Sequence, residues 1–159
     1  MDKDTYINIL MDSLVKKESL IDELIILTRL QSEIFETMPL DLEKLDDSLS
    51  EKEIKIEQLN QLDDGFEKVF LHIKDELSTN RLENKEQIIK LQELISGVVE
   101  KSTKLEIMEK KNKNQFSIAF MHKRKEIGKS KVSNNVVSNY YKNMSNQVQG
   151  QSYFLDKKK

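Results

Sequence analysis

The sequence predicts an all-α protein: an elongated bundle of three long antiparallel amphipathic helices, followed by a flexible or short-helical C-terminal tail. Three observations carry this. Over 159 residues there are only four glycines and one proline, the residues that break helices and make turns. Leu, Ile, Lys and Glu dominate, as they do in long helices. Apolar residues recur at alternating three- and four-residue intervals through most of the chain. Trp is absent and aromatics make up 6%, which leaves little bulky material for a sandwich or an α/β core.

The first helix is expected over about residues 4–38. Ile7, Leu14, Ile21 and Phe35 fall on one heptad series, with Thr28 in the open slot. Leu10, Leu24 and Met38 form the companion series, with Lys17 and Gln31 between them. Met11, Leu20, Ile25, Leu27 and Ile34 widen the stripe, which suits a bundle helix more than a two-stranded seam. Pro39 disfavours helical geometry at Met38, and Asp41 is a suitable N-cap for the next element.

The second helix is expected over 41–77, on Leu42, Leu45, Leu49, Ile56, Leu59, Phe66, Phe70, Ile73 and Leu77. Lys52 and Asp63 occupy the two slots where an apolar residue is missing. The Asp63-Asp64-Gly65 step fits a kink or a close approach to another helix. It also fits a glycine simply tolerated within a long helix, the simpler reading. Ser78-Thr79-Asn80 makes a polar break, and Asn80 with Glu83 has capping-box spacing.

The third helix is expected over 81–125, its stripe formed by Ile88, Leu91, Ile95, Val98, Leu105, Phe116 and Ala119. Ser102, Glu109 and Asn112 interrupt its second half. Residues 1–127 therefore read as one helical bundle. Residues 128–159 read as a basic, partly disordered tail with small apolar islands, and 132–144 have the spacing of a short helix. Charge follows the same division: residues 1–121 carry −9 and residues 122–159 carry +7, within a net charge of −2.

The composition excludes several functions. Without cysteine there are no disulfides, zinc–thiolate sites or cysteine nucleophiles. His72 and His122 form no metal-binding pair, and the adjacent acids Asp46-Asp47 and Asp63-Asp64 point about 100° apart on a helix. The glycines are isolated, so no phosphate-cradling loop is expected. Neither a catalytic activity nor a cofactor nor a metal is predicted. The acidic body argues against nucleic acid, despite Lys123-Arg124-Lys125. Neither a secretory signal nor a membrane-spanning run is read, which predicts a cytoplasmic protein without membrane insertion.

Three amphipathic helices leave a groove that a fourth fills, supplied either by the tail or by another protein. The sequence places that groove along the third helix, at Leu91, Ile95, Val98, Leu105, Met108, Phe116 and Met121. Methionine suits a surface that accepts varied sequences. The same residues serve equally well as ordinary core. Tyr140, Tyr141 and Met144 are the tail residues fit to compete for the groove as an autoinhibitory flap.

The chain also resembles a known family, the flagellar export chaperones of the FlgN and FliT type. The resemblance rests on an N-terminal amphipathic helix, then Asp41-Leu42-Glu43-Lys44-Leu45 opening a second one. It continues through Ser50-Glu51-Lys52-Glu53, Leu59-Asn60-Gln61-Leu62-Asp63 and Gly65-Phe66-Glu67. It ends with Asn139-Tyr140-Tyr141 and Ser152-Tyr153-Phe154-Leu155-Asp156. It implies a cytoplasmic type III export chaperone that binds a C-terminal helical segment of a hook-associated or filament-cap protein. Such a chaperone prevents premature assembly and engages the export apparatus as a monomer or homodimer. A self-associating structural coiled coil and a helical regulatory module are the alternatives.

Overall fold

The computed structural model describes residues 2–122 and 134–158, and within them it contains four helices. They are α1 (Lys3–Glu36), α2 (Leu42–Thr79), α3 (Lys85–His122) and α4 (Asn134–Lys158). The three long helices match the predicted segments to within a few residues. The end of the third prediction, residues 123–125, and the start of the predicted tail, 128–133, lie outside the described residues.

Local chemistry sets the helix ends. Asp2 caps α1, its carboxylate accepting a 2.8 Å bond from the Thr5 backbone N–H. Asp41 caps α2 in the same way through Lys44 N–H at 3.1 Å, as the sequence predicts. The expected Asn80–Glu83 capping box does not form. Asn80 instead ends α2, its N–H donating to Glu76 O at 3.0 Å. The chain then passes through tight turns to Asn84, whose carbonyl accepts from Ile88 N–H at 2.9 Å and so opens α3. With Asn80 occupied in this way, Glu83 pairs across the bundle end with Lys3.

Gly65 lies within an uninterrupted α2. A Cβ added there would meet nothing within 4 Å, so the glycine marks no close approach and is simply tolerated within the helix.

The helices run up, down, up and down. α1 and α3 are parallel: Thr28 meets Glu109 and Gln31 meets Asn112, both 81 residues apart. α2 is antiparallel to α1, as the pairs Lys17–Asp63, Gln31–Ser48 and Tyr6–His72 require. α4 runs parallel to α2, because Tyr140 lies by Lys52 while Gln147 lies by Asn60. α1 packs on α2 and α3, α4 packs on α3 and more lightly on α2, and α1 and α4 therefore sit diagonally.

The predicted stripes form the core. Leu10, Leu24, Leu45, Leu59, Leu91, Ile95, Val98 and Leu105 are among its most deeply buried members. Phe35 meets Phe116 edge to face, with ring centroids 4.8 Å apart, and this pair fixes the α1–α3 contact near one end. No helix among the described residues is long and apolar enough to cross a membrane.

Candidate binding site

The open groove expected along α3 is closed by the chain itself. Leu91, Ile95, Val98, Leu105 and Phe116 are core residues, Met108 is half-buried, and only Met121 is exposed. Both α1 and α4 pack on α3 and share in closing the groove. The predicted short helix over 132–144 is a 25-residue helix that supplies the fourth wall. Val137, Tyr140, Tyr141, Met144 and Gln147 are its buried face. Their three- and four-residue spacing continues the core pattern of the other helices, and tertiary packing decides helix formation where intrinsic propensity is weak.

α4 sits over charge. Apart from Ser102, the polar interruptions of the heptads in α1, α2 and α3 collect at two levels of the bundle. At the first, Lys52 is fully buried and pairs with the buried Glu109 at 2.5 Å. Glu109 Oε1 also accepts from Thr28 Oγ1 at 2.8 Å and from the Tyr140 hydroxyl at 2.8 Å. Lys52 donates to Gln31 Oε1 at 3.1 Å and lies 4.7 Å from the Tyr140 ring centroid. Asn112 donates to Thr28 O and Gln31 Oε1, both at 2.9 Å, while Gln31 donates to Ser48 Oγ at 2.9 Å. All four helices thus contribute to one buried network that carries one positive and one negative charge.

The second level lies about three helical turns away along α1. Lys17 pairs with Asp63, and Gln147 of α4 donates to Asn60 Oδ1 beside that carboxylate. Ser102, the remaining interruption, is buried as well.

Burial sets the protonation energetics. It holds the Lys17 and Lys52 ammonium groups below the usual lysine value, and the partner carboxylates Asp63 and Glu109 pull them partly back. Burial raises the Asp63 carboxyl, opposed by Lys17. Burial also pushes the Tyr140 and Tyr141 phenols well above the ordinary tyrosine value, and the neighbouring Glu109 charge adds to the rise. Both phenols are therefore neutral donors at any physiological pH.

At the α3–α4 seam, Lys113 lies 5.8 Å from the Tyr141 ring centroid. A shallow cavity there is lined by Glu106, Lys110, Lys113, Tyr141 and Met144, among others. The three tail residues singled out in the sequence, Tyr140, Tyr141 and Met144, are all buried against the body. His72 stacks on Tyr6 with ring centroids 5.5 Å apart. Among the described residues no three His, Asp or Glu side chains gather as a metal site would require.

Sequence reasoning noticed each polar interruption but read them one at a time, as weaknesses. The available signal was their pairing. Up-down-up helices with short connections bring Lys17 level with Asp63 and Lys52 level with Glu109, and the charges are complementary in both cases. Comparison with protein-family models, curated proteins and solved structures found no match.

Proposed function

We propose that this protein is a helix-binding protein whose C-terminal helix stands in for a partner, and that it acts as a cytoplasmic chaperone of the flagellar type III export class. The observation that carries the reading is the character of α4. The fourth wall of the bundle is built from poor helix formers: NNVVSNYYKNMSNQVQGQSYFLDKK has five Asn, three Ser and one Gly, and neither Ala nor Glu. Each Asn or Ser is a few tenths of a kcal/mol less favourable than Leu, Lys or Glu. Such a helix depends on its docking site, and segments of this kind open at lower free energy than the rest of a domain. α1, α2 and α3 are much richer in the strong helix formers Leu, Lys and Glu. They form a framework with one exchangeable position.

An amphipathic helix from a partner, laid into that position, covers the same apolar residues and meets the same buried polar groups. This is helix-in-groove recognition. The family resemblance supplies the partner class: the C-terminal helical segment of a hook-associated or filament-cap protein, held before export and handed to the export apparatus. α4 then acts as the autoinhibitory flap, with Tyr140, Tyr141 and Met144 as its contacts. Because the chain covers its own core stripes, a self-associating coiled coil has less support: the heptad stripes of α1, α2 and α3 are spent within the bundle among the described residues.

Isothermal titration calorimetry with the full chain tests this. The probes are synthetic C-terminal helices of hook–filament junction and filament-cap proteins, with an unrelated amphipathic helix of matched length and charge. One of the flagellar segments should bind at one to one, in the nanomolar to micromolar range, roughly −8 to −12 kcal/mol. Absence of binding by every flagellar segment, or equal binding by the control, refutes the assignment.

A further inference from the structure

We infer that the α4 position selects its occupant by two buried polar contacts two helical turns apart, so that a partner helix must present a phenol at the first and a carboxamide seven residues later. The inference rests on the proposed exchange of α4 and gives the partner a chemical signature. Among the buried residues of α4 whose side chains are described, Tyr140, Tyr141 and Gln147 carry polar groups; Tyr140 donates to Glu109 of α3 and Gln147 to Asn60 of α2, and these two alternate with the apolar Val137 and Met144.

The first contact is Glu109. Its buried carboxylate takes the Tyr140 hydroxyl at 2.8 Å, while Lys52 lies 4.7 Å from the same ring. The Lys52–Glu109 pair is already neutral overall, so the occupant must bring a donor without a charge. An acidic side chain there meets Glu109, and a cationic one meets Lys52. Phe fits the space but withdraws a hydrogen bond from a buried carboxylate, which such a group tolerates poorly. An aromatic ring also keeps the cation–π contact that an aliphatic donor gives up.

The second contact is Asn60 with Asp63. Gln147 donates to Asn60 Oδ1 next to the Lys17–Asp63 pair, again a neutral layer. A carboxamide supplies the donor without adding charge. Leu covers the layer but leaves the Asn60 oxygen without this donor. The required pattern is therefore apolar, two residues, Tyr, three residues, apolar, two residues, Gln. The spacing from Tyr to Gln is seven residues, about 10.5 Å along a helix. An apolar stripe alone does not meet it. This separates the site from a general hydrophobic groove, which favours the greasier helix.

The test uses the full chain with Val137→Asp and Met144→Asp, which loosen its own α4 and leave the groove residues unchanged. Two labelled peptides spanning residues 134–158 are compared by fluorescence anisotropy: the natural sequence, and one carrying Tyr140→Phe and Gln147→Leu. The natural peptide should bind at least tenfold more tightly, although the substituted one is more apolar. Equal or tighter binding of the substituted peptide overturns the polar signature and leaves an exchangeable α4 intact. Failure of both peptides to bind the folded variant overturns the exchange itself, and the signature with it. Should the loosened variant not fold, Tyr140→Phe and Gln147→Leu in the otherwise natural full chain give a second reading. Amide hydrogen exchange across α4 should then accelerate at least tenfold relative to α1, and unchanged exchange overturns the inference.

Discussion

Replacing Lys52 by Met tests the buried network most severely. Lys52 and Glu109 are 0% and 3% exposed, so removing the ammonium leaves a carboxylate in the bundle interior without its cation. Glu109 keeps hydrogen bonds from Thr28 and Tyr140, both at 2.8 Å, but these do not replace a charge. Breaking one half of a buried pair typically destabilises by about 3–5 kcal/mol. At roughly 2–4 °C per kcal/mol for a chain of this size, the melting temperature should fall by about 10 °C.

The complementary variant replaces the whole unit: Lys52→Met, Glu109→Leu and Tyr140→Phe. Thr28 then still donates to Leu24 O at 2.7 Å, and Gln31 still holds Asn112 and Ser48, so few polar groups are orphaned. This chain should be as stable as the natural one, or up to about 4 kcal/mol more stable. Urea denaturation followed by far-UV circular dichroism gives both values. A loss below about 1 kcal/mol for Lys52→Met, the range expected of a solvated pair, refutes the argument. So does a triple variant as damaged as the single one.

Three further outcomes follow from the same structure. Gly65→Ala should stabilise by up to about 1 kcal/mol, because the added methyl meets open space in an uninterrupted helix; destabilisation in the same urea assay contradicts the description of α2. Leu105→Ala should destabilise by about 2–5 kcal/mol as a core truncation, and a near-neutral effect returns Leu105 to an exposed groove. Above pH 10.5, stability should fall by about 1.4 kcal/mol per pH unit for each of Tyr140 and Tyr141. The unfolded phenols ionise near 10.0 while the folded ones keep their protons, so the folded state binds more protons and loses ground as pH rises. The buried lysines act in the opposite sense, but only between their lowered folded values and 10.5. Tyr140→Phe and Tyr141→Phe should each remove one share of the slope, and a slope that both variants leave unchanged refutes the burial of these phenols.

The heptads of α1, α2 and α3 were plain in the sequence because each rests on many repeats of one local rule. The Asp41 cap was readable for the same reason. The Asn80 region was not, since capping-box spacing says nothing about whether the preceding helix has already ended. α4 was only partly legible. Its Asn- and Ser-rich composition argues locally against a long helix, and its buried face over residues 137–147 packs on a surface that other parts of the chain create. The largest misreading concerned Lys17, Lys52, Asp63 and Glu109. A charged residue in a heptad slot looks like a defect when its helix is considered alone. Only the alignment of three helices turns two lysines and two acids into matched layers, and only the fourth helix, with Tyr140 and Gln147, completes them. For the same reason the residues assigned to an open groove became core once the chain supplied its own fourth wall.

The central claim is that α4 covers this face yet leaves it more readily than the other three helices leave one another. Native-state hydrogen exchange of the full chain, read by mass spectrometry, measures this without any partner. The amides of α4 should exchange through an opening that α1, α2 and α3 do not share, at least a hundredfold more often than the whole bundle unfolds, a gap of about 2.7 kcal/mol. Exchange of α4 at the same free energy as the core of α1 and α3 would make the four helices one indivisible unit, with no position to offer a partner.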